Sequence, residues 1–393
     1  MQPLYEHQKK FLNENPDQAL LAWEAGTGKT RTAIEWLKKR DGYPIIVVPK
    51  AIKSKWGDDL VKWGYTQPAL ILTKEEFKKG GFRMPLLSKP ILVVDEAHNF
   101  SSPLFTKQRS QLSESVYNFI QLDESIHRLF LTANPVRSSP ANLHTLLTFM
   151  GVSISWKKWQ EYFYELIRRP FLPRPAWEPK KGWQKQMIPI INKYCSVALM
   201  RDCFDVPIHE YQNIKIELSD ETKKIVRQVE LEEWEPMKVW CAQHRLENGK
   251  EKLDWIQKFG EGRRKIVIVC RYKDQIKMYA DALKKDREVF VLTGETKDQG
   301  QVIKDAQESP ECYLILQSQI GVGFDLDQFS TMIFASCDWS YVNYSQMHGR
   351  INRAHNLHRN EYIYLLAGEK DEAIISRLKE GADFDVAQVI KKV

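Results

Sequence analysis

The apolar run Ala19 to Ala22 is followed almost at once by Gly26-Thr27-Gly28-Lys29-Thr30, and then by Thr30 to Lys39, where Ala33, Ile34 and Leu37 return at helical spacing. That order of strand, glycine-rich turn and helix confines the chain to α/β architectures, in which buried parallel strands feed helices on both faces. Glycine lets backbone N–H groups turn toward phosphate oxygens, and the start of a helix adds positive potential. Gly26, Thr27, Gly28, Lys29 and Thr30 are therefore candidate nucleotide-binding residues, with Lys29 facing the β and γ phosphates and Thr30 available to magnesium. Trp23 stands where the general phosphate-loop pattern has a glycine. The loop by itself thus leaves room for a coincidental turn.

Further apolar runs end in polar residues. Ile45 to Val48 stops at Pro49, Ala69 to Leu72 follows a helical segment, Ile91 to Val94 ends in Asp95-Glu96, and Leu129 to Leu131 ends in Thr132. Open α/β sheets bind ligands at the carboxyl ends of their strands. An acidic residue there, Asp95, can hold magnesium, and the next, Glu96, can orient or deprotonate an attacking water. A charge at a buried strand end is costly without such a role. His98 reads as a connector between motifs, since no partner stands at metal-ligand spacing. Near the start, Tyr5 and Gln8 are weaker candidates for stacking on adenine and bonding its edge, because an ordinary amphipathic first helix has the same pattern.

Helical spacing runs from Asn142 to Arg168 and places Trp156 and Trp159 in its apolar stripe, whereas Arg169 to Pro179 is too rich in proline to continue a helix. After a long helical, charged stretch from about 220 to 261, a second strand set appears. The alternating Gln212 to Leu218 comes before that stretch; Lys265 to Cys270, Val289 to Leu292, Cys312 to Leu316, Thr331 to Phe334 and Glu361 to Leu366 come after it. This set has no phosphate loop of its own. At 393 residues the chain exceeds what one core usually fills. The expectation is an α/β fold of two tandem lobes, each a mostly parallel sheet flanked by helices. The first lobe spans 1–195, with a helical and proline-rich extension from about 141; the second spans 196–393. In Gln346 to Arg353 the spacing puts Arg350 and Arg353 on one helix face. Paired guanidiniums suit a triphosphate delivered by another lobe, while a solvated basic helix would read the same way.

Composition adds limits. Hydrophobic residues make up 43% and charged residues 28% of the chain, which argues against long disordered arms. A formal charge of +7 permits a nucleic-acid partner without proving one. The six cysteines form no C-x-x-C pair and read as core thiols of a reducing compartment. No uncharged apolar run approaches membrane-spanning length, so a membrane partner is not expected and a cytoplasmic location is the default.

Taken in order, the motifs resemble those of superfamily 2 helicases and, within them, the Swi/Snf-related family of double-stranded DNA translocases. Leu4 to Gln8 looks like the adenine-reading segment, Gly26 to Thr30 like motif I, and Val47-Val48-Pro49-Lys50 with Trp56 like motif Ia. Asp95-Glu96-Ala97-His98 is similar to motif II, in its DEAH form, and Leu131 to Pro135 to motif III. Leu143 to Met150 resembles the helix after motif III, and Leu199 to Val206 also matches. In the second lobe Ile268 to Tyr272, Gln317 to Leu326 and Gln346 to Arg353 resemble motifs IV, V and VI. Ala354-His355-Asn356 departs from the small residue, glycine and glutamine common in the family. The resemblance implies RecA-like lobes with a nucleotide site in the cleft between them, ATP and Mg2+ as cofactors, and catalytic roles for Lys29, Glu96, Gln346, Arg350 and Arg353. It adds Gly323 and Asp325 to the nucleotide set, and Thr30 with Asp95 as the magnesium ligands.

Family members lay the nucleic-acid backbone across both lobes. The resemblance therefore makes Lys50, Arg271 and Gln319 candidate DNA contacts, with Arg137 as a further basic candidate. Trp177 and Trp183, in the proline- and lysine-rich segment, are candidates for a base contact or wedge. The leading expectation is an ATP-dependent translocase on DNA, duplex or branched. A strand-separating DNA or RNA helicase stays open, as do an ATP-gated binding or loading module and a protein partner.

Overall fold

A computed structural model describes residues 3–83, 89–104, 110–123, 125–136, 139–168, 174–204, 209–230, 235–320, 324–351 and 359–381. It divides into two compact units, one running to Phe204 and the other beginning at Asp205. The division lies nine residues beyond the expected one, because Ser196–Ala198 adds a strand to the first sheet.

In the first unit the strands are β1 (Gln18–Trp23), β2 (Tyr43–Val48), β3 (Leu70–Thr73), β4 (Pro90–Val94), β5 (His127–Thr132), β6 (Tyr164–Ile167), β7 (Ala176–Pro179) and β8 (Ser196–Ala198). Six of them form one sheet in the order β3-β2-β4-β5-β1-β8, every pair parallel. Alternate residues serve opposite faces, as the period of two in a strand requires. From β1, Leu20 and Ala22 pack with Val116, Leu146 and Phe149 on one side. Leu21 and Trp23 pack with Ile34, Trp36 and Trp56 on the other.

The expected helix through Arg168 is interrupted. It forms as Pro140–Phe149 and Trp156–Phe163, after which Tyr164–Ile167 turns to strand and pairs antiparallel with Ala176–Pro179. Backbone pairing with residues nine to fifteen positions on outcompetes helical spacing. Trp159 is buried, as its place in the apolar stripe required.

The second unit contains β9 (His209–Lys215), β10 (Lys265–Cys270), β11 (Glu288–Leu292), β12 (Cys312–Gln317), β13 (Thr331–Phe334) and β14 (Asn360–Leu366), in the parallel order β11-β12-β10-β13-β14-β9. Val267 and Val269 face one core, Ile266, Ile268 and Cys270 the other. All six cysteines are free thiols. No described helix is long and apolar enough to cross a membrane.

One buried polar cluster ties this unit together. Lys252 is fully enclosed and its Nζ donates to Asn248 Oδ1 (2.6 Å), the Ala335 carbonyl (2.7 Å) and Asp371 Oδ2 (2.7 Å). Asp371 Oδ1 lies 2.9 Å from His244 Nε2, and His244 Nδ1 lies 2.7 Å from the Tyr272 hydroxyl. Burial pulls the Lys252 amine below its usual range, and the Asp371 carboxylate opposes that shift. Such a charge persists inside a protein only when it is paired and hydrogen-bonded.

Candidate nucleotide site

The loop between β1 and the helix Lys29–Leu37 turns at two glycines of positive φ, Gly26 (83°) and Gly28 (85°), where a side chain would be strained. Its conformation is fixed from both ends. The Thr27 hydroxyl donates to the Glu24 carbonyl (2.7 Å), and the Thr32 hydroxyl donates to the Gly28 carbonyl (3.0 Å). Lys29 Nζ donates to the carbonyls of Trp23 (2.9 Å) and Glu24 (3.1 Å), so the amine rests on the loop it belongs to. The Glu24 carboxylate accepts from the Met200 N–H (2.8 Å), joining the loop to the end of this unit.

The helix Glu6–Glu14 closes over the loop. Gln8 is fully buried; its side-chain oxygen accepts from the Tyr5 N–H (3.0 Å), and its amide donates to the Gly28 carbonyl (3.2 Å). A Cβ at position 28 would lie 2.4 Å from that amide nitrogen. Gln8 therefore braces the phosphate loop here. Tyr5 packs edge-on against Phe204 and parallel to His7. A ring nitrogen of His7 lies 2.8 Å from the Thr27 carbonyl, a contact that sequence reasoning missed, and burial lowers the ring's pKa.

At the carboxyl end of β4, the Asp95 N–H still bonds β2 through the Val47 carbonyl. Asp95 Oδ2 accepts from Trp56 Nε1 (2.9 Å) and Oδ1 from the Glu96 N–H (2.8 Å). Burial, with the Glu96 charge beside it, pushes the Asp95 carboxyl up to about 6, and Trp56 and the Lys29 charge partly offset this. Trp56 was legible as part of a motif but not as the anchor of Asp95. Glu96 takes the left-handed backbone (φ 50°, ψ 48°), a local strain of about 1 kcal/mol for a non-glycine residue. Its Oε2 lies 3.2 Å from His98 Nδ1, which is also 3.1 Å from the Thr132 hydroxyl. Thr132 Oγ1 in turn accepts from the Asn134 N–H (3.0 Å). His98 thus links the ends of β4 and β5, as a connector should.

The raised Asp95 pKa has a testable sign. Because the folded value exceeds the unfolded one, stability from this group is full at low pH and is lost as pH rises from about 4 through about 6. Melting of the nucleotide-free protein across that window should show a loss, of the order of 1–3 kcal/mol, that Asp95→Asn lacks. Parallel curves for the two proteins would refute it.

Thr30 is the second residue of the loop helix, and Lys50 is exposed just beyond β2, at the start of a short turn of helix, Lys50–Ile52. Arg137 lies outside the described residues. Trp183 corrects the expectation of a surface contact: it begins the helix Trp183–Tyr194 and is buried with Met187 and Ile191 in the core. Trp177 is 47% exposed on β7.

In the second unit, Arg271 follows β10, its backbone N–H on the Ser336 hydroxyl (2.8 Å) and one guanidinium nitrogen enclosed without a hydrogen-bond partner. Gln319 is exposed beyond β12, and Asp325 is half-buried, its carbonyl accepting from Gln307 (2.7 Å). Gln346 is buried in the helix Tyr341–Ile351. Arg350, on the same helix, is buried too, and its Nη1 donates to the Phe324 carbonyl (2.9 Å). It holds the segment after β12 rather than lying on a solvated basic face. Below it His348 stacks on Phe334 and Tyr362, and burial lowers its pKa to about 4. Gly323 and Arg353 lie outside the described residues.

A family model described as the SNF2-related domain matches residues 70–267, half of the chain. Another, described as the helicase conserved C-terminal domain, matches residues 251–355. The chain is 25% identical over 251 residues to the ISWI chromatin-remodeling complex ATPase ISW2 of Saccharomyces cerevisiae, covering 52% of this chain and 21% of that protein. It thus spans about a fifth of that relative's length. Among solved structures, the Sulfolobus solfataricus SWI2/SNF2 ATPase core in complex with dsDNA matches with a TM-score of 0.42 and 14% identity, over 98% of this chain and 97% of that one.

Proposed function

Since the chain belongs to the SNF2-related family of superfamily 2 ATP hydrolases, we propose that it couples ATP hydrolysis to movement along DNA, with duplex DNA as the track. The observation that carries the reading is the Asp95-Glu96 pair, held at the end of a buried strand and electrostatically coupled to Lys29 of the phosphate loop. Glycines of positive φ, a loop lysine and an acidic pair at the end of a buried strand are the kind of parts that phosphoryl transfer to water uses.

The residues fit ATP with magnesium. Among the described residues no cluster of three or more His, Cys, Asp or Glu could hold a metal by itself. Magnesium is commonly held by one or two carboxylates together with phosphate oxygens, and Asp95 with Thr30 supplies that kind of partial set. A bound cation would also favour the ionised form of Asp95 against its burial. Magnesium and the triphosphate supply the electrophile and its charge neutralisation; Glu96 orients the attacking water, and Lys29 holds the phosphate oxygens.

DNA is supported by the curated relative, the ATPase of a chromatin-remodeling complex. Exposed Lys50 and Gln319, and half-buried Arg271, are the proposed backbone contacts. Contacts to phosphate confer affinity without reading bases, so binding should fall steeply with salt and ignore sequence. The test compares ATP hydrolysis stimulated by duplex and single-stranded DNA of equal length and by RNA, alongside triplex displacement and unwinding. Duplex should stimulate at least as well as single strands, and a triplex should be displaced while a blunt duplex stays paired. Stimulation by single strands alone, with efficient unwinding of a tailed duplex, would replace this reading with a strand-separating helicase. Tight ATP binding with no stimulated turnover would replace it with a nucleotide-gated binding module.

A further inference from the structure

Between the helices Trp156–Phe163 and Trp183–Tyr194 the chain runs out and back as the antiparallel pair β6–β7. Its root is fixed. Tyr164 is buried, its hydroxyl 2.5 Å from the Ser139 hydroxyl and accepting from the Ala141 N–H (3.0 Å). Lys180 donates its backbone N–H to the Phe163 carbonyl and its amine to the carbonyls of Glu161 and Tyr162. Two residues out from that root, Leu166 and Trp177 sit directly opposite each other in register, so they share a face, and they are 55% and 47% exposed. Tyr162, at the end of the preceding helix, is 57% exposed. The neighbouring register pair is Glu165 and Glu178, which occupies the opposite face of the two strands.

Cations flank this projection along the chain. Lys157, Lys158, Arg168, Arg174, Lys181 and Lys185 are all exposed. Residues 157–185 hold eight basic and three acidic side chains, so they account for five of the chain's seven net positive charges. An exposed indole beside an aliphatic partner, flanked by lysine and arginine, matches a polyanion whose bases present flat apolar faces. The carboxylate pair decides which face can take part, since it would repel phosphate.

We propose that the Leu166–Trp177 face of this hairpin is a stacking wedge for nucleic acid at a boundary between single and double strand, so that forked or branched DNA is the preferred substrate. This rests on the nucleic-acid reading above. In an intact duplex each base is already covered by its neighbours. A rigidly rooted indole finds an unpaired base to stack on only where the strands part, at a fork or a branch, while the exposed cations near it in sequence add attraction for the backbone.

The test measures affinity for a forked duplex and for a blunt duplex of equal phosphate count at one salt concentration. An unpaired 2-aminopurine placed at the fork reports stacking by fluorescence quenching. The wild-type protein should prefer the fork by about tenfold, the size expected of one base–aromatic stack, and should quench the probe. Trp177→Ala should remove both the preference and the quenching, Trp177→Phe should keep most of each, and Leu166→Ala should weaken both. Leu122→Ala, which removes an exposed side chain elsewhere on this unit, should leave the ratio unchanged. Melting midpoints establish that each variant is folded. Equal wild-type affinity for fork and blunt duplex, or a preference that survives Trp177→Ala, would overturn the wedge. If duplex DNA still stimulates ATP hydrolysis in that case, the hairpin's role alone has failed; if no nucleic acid stimulates hydrolysis, the proposed function has failed with it.

Discussion

Replacing Lys29 with alanine should weaken ATP binding by at least about a hundredfold, taking about 1.5–3 kcal/mol for each charged hydrogen bond lost and 1.4 kcal/mol per factor of ten. The amine rests on the Trp23 and Glu24 carbonyls of its own loop, and the proposed role has it exchange these for β and γ oxygens. Gly26 and Gly28 keep their positive φ in the variant, and Gln8 still braces the Gly28 carbonyl. The loss should therefore appear as affinity rather than as unfolding. Equilibrium titration with a fluorescent ATP analogue, beside a melting curve, measures both. Near wild-type affinity in a folded Lys29→Ala protein would remove Lys29 from the site.

Glu96→Gln should do the opposite, retaining ATP affinity within a few-fold while hydrolysis falls by about 10²–10⁴, the usual contribution of a general base. Glutamine has the shape of glutamate and inherits the same left-handed backbone, so the helical turn Ala97–Phe100 and its His98–Thr132 contact should persist. What goes is the carboxylate proposed to orient the attacking water and take its proton. Single-turnover hydrolysis, with the protein in excess over ATP and saturating it, isolates that step. An equal loss of ATP binding in Lys29→Ala and Glu96→Gln would collapse the separate roles into one.

How much of the structure is legible in the sequence depends on where each interaction closes. Lys265–Cys270 was legible to the residue, because a β-branched run bounded by arginines and Arg271 has few other ways to be buried. Loop residues 26–30 were legible for the same reason: glycine spacing and the adjoining strand and helix are local. The partners of Asp95 and Thr27 were not, since Trp56 and His7 stand 39 and 20 residues from them and nothing local announces the bond. Tyr164–Ile167 was misread as helix because the helical apolar spacing runs on past Trp159 and Phe163, and only pairing with Ala176–Pro179 reveals the strand. Trp183 was misread through its lysine neighbours. Met187 and Ile191, four and eight residues on, place it on the buried stripe of a helix, a signal present in the sequence but outweighed by charge.

The enclosed Lys252 has a mechanical consequence. Apolar packing yields gradually when elements slide, but short charge-assisted hydrogen bonds depend on direction and weaken steeply with misalignment. Lys252 and Asp371 set such bonds between the helix Lys250–Gly260, the residue just past β13 and the helix Glu369–Gly381, and His244 adds the helix Pro236–Glu247. Under load these four pieces resist shear as a single block. Within this unit, compliance then lies with whatever the cluster does not touch, so force applied to β13 reaches the helix Glu369–Gly381 with little lost to internal slip.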